Sequence, residues 1–302
     1  MTIDCTLTAG ARVALAEEMR ATPVPPLAPE AEALIARCQR TELAVPTRHG
    51  PARVYRLDPP GPARQRPVYV NVHGGGFVRP HRIHDTAFCA EIALALDCTV
   101  FDLDYRLAPE HPFPVAIEEA HDLLGWLTQE AEALGIDATR IVLGGHSAGG
   151  NVATVVCGML AQSAAARVIG QLLDYPFLDA VTPMADKVEP GSTLPLRRME
   201  AYNVLYAATE DRLSDPRISA VLTPPALLAL MPPALVIIAG LDPLRHEARR
   251  YAGQLIDAAV DCEVRQFAAS DHGFTNLGQA EHAEARAAIR DWLSRRFKGE
   301  RA

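Results

Sequence analysis

The 302-residue sequence has no Cys-x-x-Cys and no paired cysteine spacing; Cys5, Cys38, Cys89, Cys98, Cys157 and Cys262 are scattered. That leaves no disulfide framework to read, and a chain of this size needs none. Cys89, Cys98 and Cys157 stand in apolar surroundings and are expected to be buried thiols in a reducing cytoplasm. Basic excess is missing too. The formal net charge is −8 and no basic stripe is interleaved with aromatics, which excludes nucleic acid or an anionic membrane surface as the expected partner. Met1-Thr2-Ile3-Asp4-Cys5 has no basic n-region ahead of an apolar core, so no secretory leader is expected.

Unbroken apolar runs are lacking as well. The stretch from Ala220 to Leu241 is long enough to span a bilayer, but Pro224, Pro225, Pro232 and Pro233 divide it. Ile141 to Ala166 carries glycines, His146, Ser147 and Asn151 in its middle, so no transmembrane helix is expected. Neither glycine cluster matches G-x-x-x-x-G-K-[ST] or G-x-G-x-x-G, which excludes a phosphate cradle of those kinds. His81, His84 and Asp85 lack a fourth ligand, so no metal is expected, and no cofactor is implied.

What is present is an alternation of short β-rich runs with longer helical ones. Strands are expected at 53–57, 68–72, 99–103, 141–144, 169–173, 234–238 and 263–267. Helices are expected at 85–96, 115–134, 152–162, 244–259 and 281–297. Such alternation predicts an α/β fold with a mostly parallel sheet and helices on both faces. Two regions stand outside it. Residues 1–42 hold two helix-like segments, Arg12 to Arg20 and Glu30 to Arg40, and 180–231 form an insertion after a core strand. The core is therefore placed at 43–179 and 232–302, and an insertion at a strand's C-terminal end is expected to cover the site.

The most informative stretch is Gly144-Gly145-His146-Ser147-Ala148-Gly149-Gly150-Asn151, between the run Arg140-Ile141-Val142-Leu143 and a helical run. Gly-x-Ser-x-Gly in a strand–turn–helix context presents a serine on a strained elbow. A serine hydroxyl needs a base, and the base an orienting acid, on loops after later strands. His272 follows 263–267 and Asp242 follows 234–238, so Ser147, Asp242 and His272 converge on one sheet edge. Asp271 and Glu247 compete as acids, but an immediate neighbour such as Asp271 turns back poorly onto the imidazole. His73-Gly74-Gly75-Gly76-Phe77 and the N–H of Ala148 are placed to stabilise an oxyanion. His73 is expected to brace that loop.

These residues resemble the hormone-sensitive-lipase family of α/β hydrolases, the bacterial family IV esterases. The resemblance rests on His73-Gly74-Gly75-Gly76-Phe77, Tyr105-Arg106-Leu107-Ala108-Pro109-Glu110, Gly145-His146-Ser147-Ala148-Gly149-Gly150-Asn151, Asp242-Pro243-Leu244 and Asp271-His272-Gly273-Phe274, in the family's order. It implies an α/β-hydrolase fold and hydrolysis of carboxylic esters without a metal, with Gly75, Gly76 and Ala148 as oxyanion donors. It also implies a cap from the N-terminal helices and the insertion, and a homodimer as one assembly option. The family usually has Asp where this chain has His146; strand alternation predicts that His146 points away from Ser147. The expected substrate is a small ester with a short to medium acyl group. Amides, lactones, carbamates, acyl transfer and a non-catalytic small-molecule receptor stay open as alternatives.

Overall fold

The computed structural model describes residues 7–62, 65–163, 165–188 and 191–300. Two helices, α1 (Ala9–Arg20) and α2 (Pro29–Arg37), lead into strands β1 (Gln39–Val45), β2 (Ala52–Asp58) and β3 (Arg66–Val72). Helices and strands then alternate through α3 (Ile83–Leu96), β4 (Thr99–Asp104), α4 (Val115–Gln129), the single-turn α5 (Ala131–Leu134), β5 (Ile136–His146), α6 (Ala148–Ser163) and β6 (Val168–Asp174). After β6 come α7 (Leu196–Ala207) and α8 (Pro225–Leu228) among 3₁₀ turns, with no strand in the described part of 180–231. The chain closes with β7 (Ala234–Ala239), α9 (Arg245–Asp257), β8 (Cys262–Phe267), α10 (Phe274–Leu277) and α11 (His282–Lys298).

The eight strands form one sheet in the order β1-β2-β4-β3-β5-β6-β7-β8. β2 is antiparallel to both β1 and β4, and every other pairing is parallel. Side chains alternate between the two faces, and a core lies on each. Ile141, Leu143, Val236 and Ile238 pack with Leu124 of α4, Val152 of α6 and Tyr251 of α9. Val142, Leu235 and Ile237 pack on the opposite side with Phe88 of α3 and Trp292 of α11. β7 is buried along its whole length, as its continuous apolar run requires.

The topology selects the site. From β3 the chain steps outward to β4, then returns to β5 on the other side of β3. The connections diverge between β3 and β5, and such a divergence opens a crevice at the strands' C-terminal ends. His73 leaves β3 and Ser147 leaves β5 there, with Val72 paired to Gly145.

Several boundaries differ from the sequence reading. The second helical segment ends at Arg37 rather than Arg40, and Gln39–Val45 pairs with β2 as an edge strand. Most of that strand is exposed, so no apolar alternation marked it. The run expected to be helical to Leu134 breaks at Glu130. α6 begins at Ala148, because Gly149 and Gly150 belong to the helix rather than the turn before it. Cys89, Cys98 and Cys157 are buried free thiols, while Cys5 and the N-terminal stretch read for a leader lie outside the described residues. No described helix is long and apolar enough to cross a membrane.

A Cβ on Gly149 would lie 1.9 Å from the carbonyl oxygen of Val72, whereas one on Gly253, inside α9, would meet nothing within 4 Å. Gly149→Ala is expected to cost about 3 kcal/mol by forcing α6 off β3. Gly253→Ala should instead stabilise by about 0.5–1 kcal/mol through helix propensity. Urea midpoints of the two variants check the pair; equal shifts would contradict it.

Candidate active site

Ser147 stands between β5 and α6 with φ 53°, a left-handed conformation that a non-glycine residue holds only under constraint. The constraint is local. Its N–H donates to the carbonyl of Asp174 at 3.0 Å, and its carbonyl accepts from Gly150 and Phe177, each at 3.0 Å. Gly145 and Gly149 make room for the turn: a Cβ on Gly145 would fall 2.4 Å from the Gly149 backbone. The serine is 7% exposed, at the floor of a cavity of about 370 Å³.

His272, on the loop between β8 and α10, lines the same cavity. Its Nδ1 lies 2.7 Å from Oδ2 of Asp242, which is fully buried on the loop after β7. The other Asp242 oxygen accepts from the Leu244 N–H at 2.9 Å, so the carboxylate is held before it meets the imidazole. The competing acids are engaged elsewhere. Asp271 accepts from the Ser192 hydroxyl, from Thr193 N–H at 2.6 Å and from its own neighbour's N–H at 2.7 Å. Glu247 accepts from Leu178 N–H at 2.7 Å and lies 2.6 Å from Lys187 Nζ. Burial pushes Glu247 up to about 7 although Lys187 opposes the shift.

The glycine loop from β3 lies against the elbow: a Cβ on Gly74 would sit 3.5 Å from Cβ of Ser147. Gly75 and Gly76 have φ of 115° and 64°. A side chain at Gly76 would enter the ring of Tyr202. The N–H groups of Gly75, Gly76 and Ala148 donate to no backbone group outside regular helices and strands among the described residues. His73 braces the loop from below, with its ring stacked on Tyr105 at 4.1 Å and Nδ1 2.6 Å from the Gly74 carbonyl. Burial lowers its pKa. The Tyr105–Glu110 segment supports the loop from the side, since Ala108 N–H donates to the Phe77 carbonyl at 2.9 Å. Arg20 of α1 ties in the same place through Glu110 and the carbonyls of Val78 and Ala108.

His146 is buried on the α3–α11 side of the sheet, its ring edge-to-face with Phe88 at 4.6 Å. Its Nδ1 lies 2.9 Å from Oδ2 of Asp174 and 3.3 Å from the Tyr175 hydroxyl. Thr275 donates to the same Asp174 oxygen. Tyr175 packs its ring on His272 at 5.0 Å, which joins this buried cluster to the cavity wall. His81, His84 and Asp85 do not converge on one point. His81 binds Asp102 at 2.6 Å, and Asp85 accepts from Arg82 N–H and Asn276.

Sequence reasoning passed over Tyr175, Tyr202, Arg79 and Arg198, all of which line the cavity. They belong to loops and to α7, where no periodicity or motif marks a side chain as inward-facing.

A serine elbow, a histidine paired with a buried aspartate and a glycine loop at the divergence of a mostly parallel sheet define an α/β hydrolase. A family model described as the alpha/beta hydrolase fold matches residues 69–276. The chain belongs to the hormone-sensitive-lipase, or bacterial family IV esterase, family of α/β hydrolases. It is 35% identical over 271 residues to the carboxylic ester hydrolase LipN of Mycobacterium tuberculosis, covering 84% of this chain and 71% of that one. It is 34% identical over 246 residues to an ethyl acetate hydrolase of Pseudomonas putida, covering 79% and 76%. Among solved structures, an esterase of Pyrobaculum calidifontis superposes with TM-score 0.81 at 28% identity, covering 97% of this chain and 94% of the other.

His146→Asp would set a second carboxylate beside buried Asp174. Two such groups cannot both ionise in contact, so the pair must take up a proton. The variant is expected to lose about 2–4 kcal/mol relative to wild type at pH about 8. Part of that loss should be recovered at pH about 5, where protonating one carboxyl is easier. Chemical denaturation at both pH values checks this, and a loss independent of pH would refute it.

Proposed function

We propose that the protein is a serine carboxylesterase acting on short to medium acyl esters through an acyl-enzyme on Ser147. The observation that carries this reading is the pair of buried Asp242 and half-buried His272, 2.7 Å apart, the imidazole lining one cavity with a serine on a strained elbow. Two relatives, a carboxylic ester hydrolase and an ethyl acetate hydrolase, support the ester as substrate class.

In this mechanism His272 takes the proton of Ser147 as Oγ attacks the ester carbonyl, and Asp242 stabilises the imidazolium that forms. The N–H groups of Gly75, Gly76 and Ala148 receive the oxyanion, with the N-terminus of α6 adding its dipole. The C–O bond to the alcohol breaks as His272 returns its proton to the leaving oxygen. Water, deprotonated by the same imidazole, then cleaves the acyl-enzyme. Helix α1, the Thr22–Pro25 strap and α7 act as a cap. Residues of the strap and of α7 close the cavity above Ser147, and Phe77, Phe177 and Met199 supply apolar wall. A volume near 370 Å³ lies at the small end of ligand cavities and suits short acyl groups over triglycerides.

The test is a chain-length panel of p-nitrophenyl esters with Ser147→Ala as control. Turnover should peak at short to medium chains, and kcat should fall roughly 10⁴-fold or more in the variant. Retained turnover there, or no labelling of Ser147 by a fluorophosphonate, would overturn the reading. Faster cleavage of a matched amide or lactone, or ester exchange dominating in added alcohol, would redirect it within the same chemistry.

A further inference from the structure

The cavity above Ser147 carries three arginines, Arg79, Arg82 and Arg198, and no Asp or Glu among its described lining residues. For a protein of net charge −8 this is a local inversion of sign. Among the described residues, Arg82 alone of the three has an ion-pair partner, Asp85 at 3.8 Å, and that oxygen also accepts from the Arg82 backbone N–H. Arg79 donates to the Thr22 carbonyl at 2.6 Å, and Arg198 to the Thr193 carbonyl at 3.3 Å. Both acceptors are neutral, as is the Tyr202 hydroxyl that also meets Arg79, so none of these partners supplies a counter-charge. The Nε atoms of Arg79 and Arg82 are buried without a hydrogen-bond partner.

Gathering half-buried guanidinium groups around one cavity with a single carboxylate near them is unfavourable. The cost shows at Arg79, whose pKa is lowered by burial and by repulsion from Arg82 and Arg198. Bracing accounts for part of the arrangement, since Arg79 ties the Thr22–Pro25 strap to the loop after β3. It does not account for three like charges turned toward one small cavity. Guanidinium forks are matched to oxyacid anions, and in a partly closed cavity their field is focused toward the entering ligand.

We propose that the cavity selects esters carrying a second, ionised oxyacid group, a carboxylate or a phosphate, held by Arg79, Arg82 and Arg198 while the ester lies at Ser147. Resting on the esterase reading, this inference narrows the substrate from a neutral ester to an anionic one, such as the hemiester of a short dicarboxylic acid. The anionic group takes no part in bond-making. Its binding energy orients the ester and offsets the mutual repulsion of the arginines, so its effect falls mainly on KM.

The test compares p-nitrophenyl glutarate hemiester with p-nitrophenyl pentanoate, the same chain ending in methyl. An analogue ending in phosphonate separates the two oxyacids by which is cleaved faster. Wild type should favour an anionic ester by roughly tenfold or more in kcat/KM, and salt at about 0.5 M should erode the preference. The anionic-to-neutral ratio should fall to near one in Arg198→Gln and Arg79→Gln and be largely kept in Arg198→Lys. A neutral ester cleaved as fast as the anionic ones, or a ratio untouched by Arg198→Gln, would overturn the proposal. A second arm needs no turnover: glutarate should raise the Tm of wild type and not of Arg198→Gln, and a shift equal in both would also overturn it. Neutral esters turned over without anionic preference remove this inference alone, whereas no ester turnover together with a glutarate shift removes the esterase reading and leaves the anion site.

Discussion

The contact of backbone on backbone between the start of α6 and the end of β3 is the constraint on which the site depends. With no Cβ at Gly145 or Gly149, α6 settles until its first turn meets the carbonyl of Val72. That closeness forces Ser147 into a left-handed conformation and turns its side chain out of the sheet. It also sets the elbow against the glycine loop, because that loop leaves the very strand on which α6 rests. Ser147 and the Gly74–Gly76 loop are thus positioned by main chain, the least compliant part of the molecule.

Below the elbow lies a polar layer inside an otherwise apolar core. Asp174 at the end of β6 receives Thr275 and meets His146, while its own carbonyl holds the Ser147 N–H. Tyr175, next in sequence, reaches from His146 to the face of His272. An imidazole in the place of the family's usual carboxylate therefore changes the partner that Asp174 must be given. A carboxylate there would face Asp174 with the Tyr175 hydroxyl beside it.

Above the elbow the character reverses. The walls are apolar near Ser147 and cationic around Arg79, Arg82 and Arg198. The cationic side chains are contributed from the loop after β3 and from α7.

The sheet and most helices were legible because apolar periodicity is a property of neighbouring residues. The strand runs at 68–72 and 234–238 and the helix at 244–259 announce themselves that way. β1 did not, because an exposed edge strand buries too little to leave a pattern, and the first turn of α6 was hidden by glycines that read as a turn. Around the site, Ser147, His272 and Asp242 were singled out because each follows a recognisable strand. Residue type and position along the chain thus determined a parallel α/β sheet and the side chains that gather at one edge. Only the tertiary structure decided that Asp271 and Glu247 are engaged by other partners, that His146 pairs with Asp174, and that Arg198 of α7 shares one cavity with Arg79 and Arg82. Those are matters of direction and long-range proximity, which depend on how whole elements pack and leave no local trace in the order of residues.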